Sequence, residues 1–218
     1  MTPARPLALL VALSACAIVL APAFAQDAGA AAALDAKVRS FLDSHARGWH
    51  DMNVPESDGK LLHDIILEKK YKHALEIGTS TGHSAIWMAW ALSKTGGKLV
   101  TIEIDRSRHE EALRNFGEAG LSDYIDARLA DAHVLVPDLP GPFDFVFSDA
   151  DKEWYKKYFV AVSPKLAVGG CFAAHNASMR ERGIREFLEY VRGLPNYKTT
   201  VDRSSHSGVS ISYKIAAD

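Results

Sequence analysis

A lysine and two carboxylates stand together near the middle of this 218-residue sequence. Asp149, Asp151 and Lys152 directly follow residues 143–148, whose aromatic and aliphatic side chains predict a buried strand. A lone aspartate at a strand end could simply cap the next helix, but two carboxylates beside a lysine indicate a functional site. We therefore expect reactive chemistry where this strand turns into a helix.

Two further polar residues follow the next predicted strand. His175 and Asn176 come directly after the apolar run at 168–174, so they should reach the same rim of the sheet as Asp149. Aspartate, histidine and asparagine can all coordinate metal ions, which makes Asp149, His175 and Asn176 a candidate metal set. The alternative is that His175 only forms hydrogen bonds within the rim.

A glycine-bounded turn predicts where a small molecule binds. Residues 74–77 read as a short buried strand, the run Gly78-Thr-Ser80-Thr-Gly82 must turn sharply, and an apolar-periodic helix starts at Ser84. In doubly wound α/β sheets, ligands bind beyond the carboxyl ends of the strands. Glycines there let the backbone approach the ligand, and helix N–H groups face it. We expect a small-molecule site over this turn.

The spacing of the glycines bears on which ligand binds. A dinucleotide fingerprint is G-x-G-x-x-G, whereas this chain has Glu76-x-Gly78-x-x-x-Gly82 and lacks the third glycine. An acidic residue just before the turn would oppose a phosphate but suit a cationic ligand. The pattern therefore favours a positively charged nucleoside cofactor over NAD, which stays the alternative.

Two more carboxylates follow the next strands. Glu103 lies near the end of the strand predicted at 98–104, where an acidic residue can accept hydrogen bonds from both ribose hydroxyls of a nucleoside. Its alternative role is a solvated carboxylate at a strand end. Asp131 follows the strand predicted at 125–129 and could meet the adenine amino group, or it could cap the next helix.

These stretches together resemble the class I S-adenosylmethionine-dependent methyltransferases, and among them the metal-dependent O-methyltransferases that include the catechol and caffeoyl-CoA enzymes. The resemblance extends from about Met52 to the end of the chain. The motifs that carry it are residues 52–54, 76–84, 101–103 and 149–155, followed by residues 175–176.

The resemblance implies a role for each matching residue. Lys152 would be the base that deprotonates the attacking hydroxyl, and Asp149 and Asn176 would be metal ligands. The residues placed around S-adenosylmethionine are Val54, Glu76, Gly78, Ser84, Glu103 and Asp151, to which the turn adds Ser80 and Gly82 and the third strand adds Asp131.

One residue departs from the family pattern. The family usually has an aspartate before the asparagine, where this chain has His175. An imidazole in place of a carboxylate removes a negative charge and a hard oxygen ligand. The exchange weakens the case for Mg²⁺ and favours Mn²⁺, Zn²⁺ or no metal, so the divalent cation stays a hypothesis.

The leading hypothesis is an O-methyltransferase that acts on a small hydroxylated, catechol-like aromatic. One alternative is an NAD-type oxidoreductase, against which the glycine spacing and Glu76 argue. The other is a non-catalytic S-adenosylmethionine-binding protein whose altered metal site, at His175, has lost activity.

The elements that must position these residues are strands and helices that alternate along the chain. This alternation predicts an α/β, Rossmann-like, doubly wound and mostly parallel sheet with helices on both faces. Residues 55–58 are of the types that cap a helix, and residues 197–201 and 209–215 suit an antiparallel strand pair at the sheet edge. The predicted strands are 73–77, 98–104, 125–129, 143–148 and 168–174, and the predicted helices are 34–46, 59–69, 84–93, 106–119, 132–136, 152–162 and 179–191.

The composition and net charge of the chain indicate which class of partner it binds. Hydrophobic residues make up 48% of the chain and charged residues 24%, which is ordinary for a globular protein. A formal net charge of -2 gives no basic footprint for nucleic acid, so the expected partner is a small molecule. The oligomeric state is left open, a homodimer among the options.

The first 25 residues read as a secretory signal peptide. Arg5 precedes an apolar run at 7–20, and Ala23-Phe-Ala25 offers a cleavage site. We expect residues 26–218 to form one exported, periplasmic or secreted, methyltransferase domain without stable membrane insertion. A lipid anchor at Cys16 is the alternative. Cys171 is the other cysteine of the sequence, so a cleaved chain has no internal disulfide to form.

Overall fold

The computed structural model describes residues 20–49 and 51–218, and side chains from residue 29 onward. Most of the predicted signal peptide, residues 1–19, lies outside the described residues. The predicted cleavage point after Ala25 falls within the first helix. None of the described helices is long and apolar enough to cross a membrane.

Within the described residues, seven strands form one sheet in the order β3-β2-β1-β4-β5-β7-β6. Parallel pairing joins β3, β2, β1, β4 and β5, and β7 runs antiparallel between β5 and β6. The strands are β1 His73–Ile77, β2 Lys98–Glu103, β3 Ile125–Leu129, β4 Phe143–Ser148, β5 Leu166–Ala174, β6 Tyr197–Asp202 and β7 Val209–Lys214. The mostly parallel sheet and the antiparallel pair at its edge are confirmed.

Seven helices cover the sheet in the described residues. They are α1 Leu20–His45, α2 Glu56–Lys69, α3 His83–Thr95, α4 Arg106–Ala119, α5 Ala132–Asp138, α6 Tyr155–Val162 and α7 Arg182–Arg192. Helices α1 to α4 contribute to one apolar core and α5 to α7 to a second one. Strand β4 divides its side chains between them, with Phe145 and Phe147 in the first core and Val146 in the second. The doubly wound arrangement with helices on both faces is therefore confirmed.

The strand register brings the expected rim residues together. Ile77 pairs with Ser148, and Ser148 pairs with Ala174, so β1, β4 and β5 end side by side. The residues that follow each strand thus meet at the carboxyl edge of the sheet, where ligands bind in this architecture.

Four helix starts differ by three or more residues from the sequence-based expectation, and one of them is α2, which begins at Glu56 instead of residue 59. Helix α1 includes the alanine-rich run before residue 34, which the sequence left outside the helix. Residues Lys152–Trp154 form a 3-10 turn before α6, because the Asp151 carboxylate caps the backbone there by accepting from the Glu153 N–H. Helix α7 begins at Arg182, since Ala177 and Ser178 instead donate backbone hydrogen bonds to the loop at 207–208.

Candidate active site

A cavity of about 730 Å³ opens at the carboxyl edge of the sheet. Most of the predicted site residues line it: Gly78, Ser80, Glu103, Asp131, Asp149, Asp151, Lys152, His175 and Asn176. The other predicted residues, Val54, Glu76, Gly82 and Ser84, lie outside the described lining of this cavity.

The turn after β1 lies directly against the turn after β4. The Gly78 N–H donates to the Ile102 carbonyl at 3.0 Å, and the Asp149 N–H donates to the Ile77 carbonyl at 2.8 Å. Gly78 has a φ of +98°, and a Cβ placed on it would lie 2.6 Å from the Asp149 carbonyl oxygen. Glycine is required here both for its conformation and for the close backbone contact.

Glu103 is held rigidly at the cavity wall by backbone donors. Its carboxylate accepts from the Ser80 N–H at 2.7 Å, from the Ile104 N–H at 3.0 Å and from the Asp105 N–H at 2.9 Å. The Ser80 hydroxyl is buried and finds no hydrogen-bond partner among the described residues. A fixed carboxylate beside an unsatisfied hydroxyl suits a ligand that carries hydroxyl groups, as a ribose does.

Both aspartates beyond Glu103 cap backbone turns. Asp131 accepts from the His133 N–H at 2.9 Å and Asp151 from the Glu153 N–H at 3.0 Å, and both still line the cavity. The capping alternative for Asp131 is therefore the contact that the structure contains. The His133 ring lies 3.4 Å from each of these two carboxylates, which is a cavity-lining position that sequence reasoning missed.

Glu76 and Ser84 bind one another. The Glu76 carboxyl is fully buried and accepts from the Ser84 hydroxyl and from the Thr101 hydroxyl, each at 2.5 Å. Burial raises the pKa of Glu76 to about 8, although both hydrogen bonds act in the opposite direction. In this structure the acidic residue braces the turn between β1 and α3.

Val54 and Gly82 hold the start of α3. The Val54 carbonyl accepts from His83 Nδ1 at 2.9 Å, and Val54 lines a second cavity of about 240 Å³. The ring of Trp49 stacks on that of His83 in the same cavity, with centroids 4.4 Å apart. Gly82 has a φ of +100°, and a Cβ placed on it would lie 2.5 Å from the Phe116 ring.

A chain of charged side chains connects the cavity wall to the protein interior. His175 Nδ1 lies 3.1 Å from Asp149 Oδ2, and His175 Nε2 lies 2.9 Å from Asp58 Oδ2. Lys152 Nζ donates to the other Asp149 oxygen at 2.6 Å. Asp58 is 1% exposed and His175 is 5% exposed, so the inner end of this chain is almost completely buried.

The two carboxylates favour the charged form of the imidazole. Burial alone would lower the pKa of His175, but the hydrogen bonds and charges of Asp149 and Asp58 raise it to about 9. Burial would raise the pKa of Asp58, yet hydrogen bonds from His175 and Ser205 lower it. Both carboxylates therefore favour the protonated form of His175 over the neutral one.

Asp58 is a second residue of the site that sequence reasoning missed. Residues 55–58 were expected to cap α2, but Pro55 occupies the capping position and makes no side-chain cap hydrogen bond. The Asp58 carboxylate instead binds His175, 117 positions away. A contact across that distance leaves no local spacing pattern in the sequence.

Two of the three candidate metal residues, Asp149 and His175, already have protein partners in this structure. Among the described residues, no group of three or more His, Cys, Asp or Glu side chains is arranged to hold one metal ion, and Asn176 is not one of these residue types. His175 Nε2 is hydrogen-bonded to Asp58, and Nδ1 lies 3.1 Å from Asp149 Oδ2. Both Asp149 oxygens already have a nitrogen partner, Lys152 Nζ on one and the His175 ring on the other.

The sequence is similar both to a protein-family model and to individual known proteins. A family model described as "O-methyltransferase" matches residues 29–183. Catechol O-methyltransferase from Niastella koreensis is 39% identical over 116 residues, which are 51% of this chain and 52% of that protein. Caffeoyl-CoA O-methyltransferase 1 from Eucalyptus globulus is 30% identical over 66% of this chain and 63% of that protein. The matches span less than two thirds of either relative.

Solved structures share the fold over most of its length. The O-methyltransferase from Bacillus cereus in complex with SAH (S-adenosylhomocysteine) is 26% identical with a TM-score of 0.72, and covers 82% of this chain and 90% of that one. The O-methyltransferase TomG from Streptomyces achromogenes, in complex with SAM (S-adenosylmethionine), is 27% identical with a TM-score of 0.72. That match covers 83% of this chain and 90% of the other.

Proposed function

Because this chain belongs to the O-methyltransferase family, we propose that it transfers the methyl group of S-adenosylmethionine to a hydroxyl of a small, catechol-like aromatic acceptor. The observation that carries this proposal is one cavity that contains both Glu103, a carboxylate suited to a ribose, and Lys152, a candidate base. The cavity volume of about 730 Å³ lies within the usual range of small-molecule sites.

The cofactor would lie against the turn after β1 and the end of β2. Glu103 would accept hydrogen bonds from the ribose hydroxyls, and the buried Ser80 hydroxyl would gain the partner that it lacks among the described residues. Asp131, Asp151 and the His133 ring would form the wall around the adenine. The names of two cofactor-bound structural neighbours support this choice of ligand.

Methyl transfer needs an acceptor oxygen that is deprotonated and aligned with the methyl group. When bound, S-adenosylmethionine supplies an electrophilic methyl group on a sulfonium. Transfer would form a bond between the acceptor oxygen and the methyl carbon and break the carbon–sulfur bond, whose electron pair would stay on the sulfur. The hydroxyl proton passes to Lys152 Nζ, whose ammonium form then pairs with the Asp149 carboxylate at its side.

The acceptor class rests on the relatives. The similar proteins are named after catechol and caffeoyl-CoA, both of which carry hydroxyls on a flat aromatic ring. Met52 and Asn53 also line the cavity and would contact such a ring. Orientation by these contacts would bring one hydroxyl to Lys152.

Calorimetric titration of the full chain tests the cofactor assignment. We expect saturable binding of S-adenosylmethionine and no comparable binding of NAD⁺. Binding of NAD⁺ alone would replace the proposal with an oxidoreductase. Cofactor binding without turnover of any catechol would favour the non-catalytic alternative.

We also propose that residues 1–25 direct export and are removed after Ala25. The arginine before an apolar run and the Ala-Phe-Ala ending support this proposal. A lipid-anchored form that starts at Cys16 is the competing outcome.

A further inference from the structure

We propose that the second cavity, beside the start of α3, binds a small organic ammonium ion, with Glu56 as its charge partner and the rings of Trp49, His83 and Trp87 as its aromatic wall. This cavity is not the one assigned to methyl transfer, and the proposal does not depend on that function.

The second cavity lies where three helices meet. Leu42 and Ala46 reach it from the end of α1, Glu56 from the start of α2 and Trp87 from α3. Its volume of about 240 Å³ is below the roughly 300–1,000 Å³ of pockets for drug-sized ligands. The space therefore suits a ligand of only a few non-hydrogen atoms.

Aromatic rings form part of its wall. The rings of Trp49 and His83 are stacked with centroids 4.4 Å apart, and the ring of Trp87 stands at 67° to that of His83 with centroids 6.5 Å apart. The face of an indole ring carries partial negative charge and attracts a cation within about 6 Å of its centre. Two indoles in one small cavity thus favour a positively charged ligand.

His83 adds no positive charge to this wall. Trp87 Nε1 can only donate and lies 3.1 Å from His83 Nε2, so that ring nitrogen accepts and carries no hydrogen. His83 Nδ1 lies 2.9 Å from the Val54 carbonyl oxygen, which can only accept, so Nδ1 carries the hydrogen of the ring. One hydrogen makes the imidazole neutral, and burial lowers the pKa of His83 in agreement.

Glu56 is the one charged side chain in the described lining of this cavity. Its carboxylate forms no hydrogen bond or ion pair within the part of the chain that the structure describes. It does not cap α2 either, because the N–H groups of Asp58 and Gly59 donate to the Pro55 carbonyl. Glu56 is exposed, so a cation can reach it from solvent.

An organic ammonium ion matches these features together. Its alkyl groups would pack on Leu42 and Val54, and its charge would face the indole rings and the Glu56 carboxylate. An anion would be repelled by Glu56, and a neutral ligand would leave that charge unmatched.

Calorimetric titration of the full chain with choline tests the site, and 3,3-dimethylbutan-1-ol is the matched neutral probe with carbon in place of nitrogen. We expect saturable binding of one choline per chain, and roughly 3- to 30-fold weaker binding of the alcohol, which lacks the cation–π and ion-pair contacts. Equal affinities for the two probes, or no saturable binding of choline, would overturn the proposal.

Repeating the choline titration with saturating S-adenosylhomocysteine distinguishes the two cavities. The choline Kd should change less than about twofold, because the second cavity has its own wall. Loss of choline binding would place the ion in the larger cavity and overturn the proposal.

Two variants with matched controls locate the ion. Glu56→Gln should raise the choline Kd roughly two- to fivefold, whereas Glu68→Gln, at an exposed position near the other end of α2, should not change it. Ala46→Leu should raise it about tenfold or more by filling the cavity, and Ala36→Leu, at an exposed position on α1, should not. Wild-type affinity in both Glu56→Gln and Ala46→Leu would overturn the site.

The outcomes separate this proposal from the proposed function. Failure to bind S-adenosylmethionine, or to methylate any catechol, would reject the proposed function alone. The choline titrations and their variants would still decide whether the second cavity binds an ammonium ion.

Discussion

Lys152 lines the cavity and contacts the side chain of Asp149. Its Nζ donates to Asp149 at 2.6 Å, and its side chain is 23% exposed. We expect Lys152→Met to lower kcat by about 100-fold or more, because a positioned acid–base group typically contributes 10² to 10⁴. Cofactor affinity should change less than about twofold, since nothing in the nucleoside wall is altered.

A matched control is Lys198→Met, which removes an exposed lysine on β6 far from the cavity. Its kcat and its cofactor affinity should equal those of wild type. Equal losses in both variants would show that methionine disturbs the fold, and full activity of Lys152→Met would reject Lys152 as the base.

Glu103 is the residue on which cofactor binding should depend most. Glu103→Gln keeps the shape but removes the charge that three backbone donors and a ribose would share. A hydrogen bond to a charged group contributes about 1.5–3 kcal/mol, so the S-adenosylmethionine Kd should rise by roughly 10- to 150-fold. Calorimetry would compare it with Glu110→Gln, an exposed acid on α4 that should leave the Kd unchanged.

Glu76 gives the stability of the protein a defined dependence on pH. Burial raises its folded pKa from the ordinary 4.5 to about 8, with Asp149 and Glu103 nearby acting in the same direction. Between these pH values the unfolded chain has lost the proton that the folded protein keeps. The contribution of this group to the free energy of unfolding therefore falls by up to about 1.4 kcal/mol per pH unit as the pH rises.

Urea unfolding of wild type and Glu76→Gln at pH values near 5.5 and 7.5 measures this effect. The variant should lose less stability than wild type as the pH is raised, because its side chain does not titrate. Parallel losses in the two proteins would mean that Glu76 ionises in the folded state as easily as it does in the unfolded chain.

At the scale of elements, the turn between β1 and α3 depends on Gly78. Gly78→Ala combines an unfavourable positive φ with a Cβ that would lie only 2.6 Å from the Asp149 carbonyl oxygen. Gly96→Ala is the control, since Gly96 also has a positive φ but open space around its Cβ position within the described residues. We expect about 1–2 kcal/mol of destabilisation from Gly96→Ala, larger destabilisation from Gly78→Ala, and weaker cofactor binding in the latter alone.

Thermal unfolding and calorimetry of the two glycine variants separate strain from overlap. Equal destabilisation in both would show that the backbone conformation alone accounts for the effect at Gly78. It would also show that the turns after β1 and β4 can move apart without cost.

The sequence predicts the elements far better than it predicts the contacts between them. Apolar periodicity and glycine turns located the strands, and the strand order of a doubly wound sheet explains why Asp149 and His175 meet. The Asp58–His175 pair joins α2 to the residue after β5, and nothing local in either segment indicates it. The helix starts near 152 and 182 were misplaced because side-chain and loop hydrogen bonds, rather than propensity, decide them.

At the scale of the whole molecule, α1 is fixed to the domain by its second half. Asp35 accepts from Trp90 Nε1 at 2.6 Å and pairs with Lys94, and Val38 is fully buried. Residues 29–33 are exposed. The contacts described for α1 thus begin well after the predicted cleavage point.

We therefore expect removal of residues 1–25 to leave the fold intact. The truncated chain should have the urea unfolding midpoint of the full chain within experimental error, and amino-terminal sequencing of exported protein should begin at Gln26. A midpoint that falls on truncation would mean that the first residues pack on the domain. A lipid-modified start at Cys16 would replace the cleavage prediction.

Transfer of an isotope-labelled methyl group tests the central claim most directly. Full-chain protein would be incubated with methyl-labelled S-adenosylmethionine and catechol, with a chelator or with added Mg²⁺ or Mn²⁺, and the products quantified by mass spectrometry. The account predicts labelled O-methylated catechol and S-adenosylhomocysteine in equal amounts. Unchanged cofactor and catechol, both with the chelator and after adding Mg²⁺ or Mn²⁺, would contradict it.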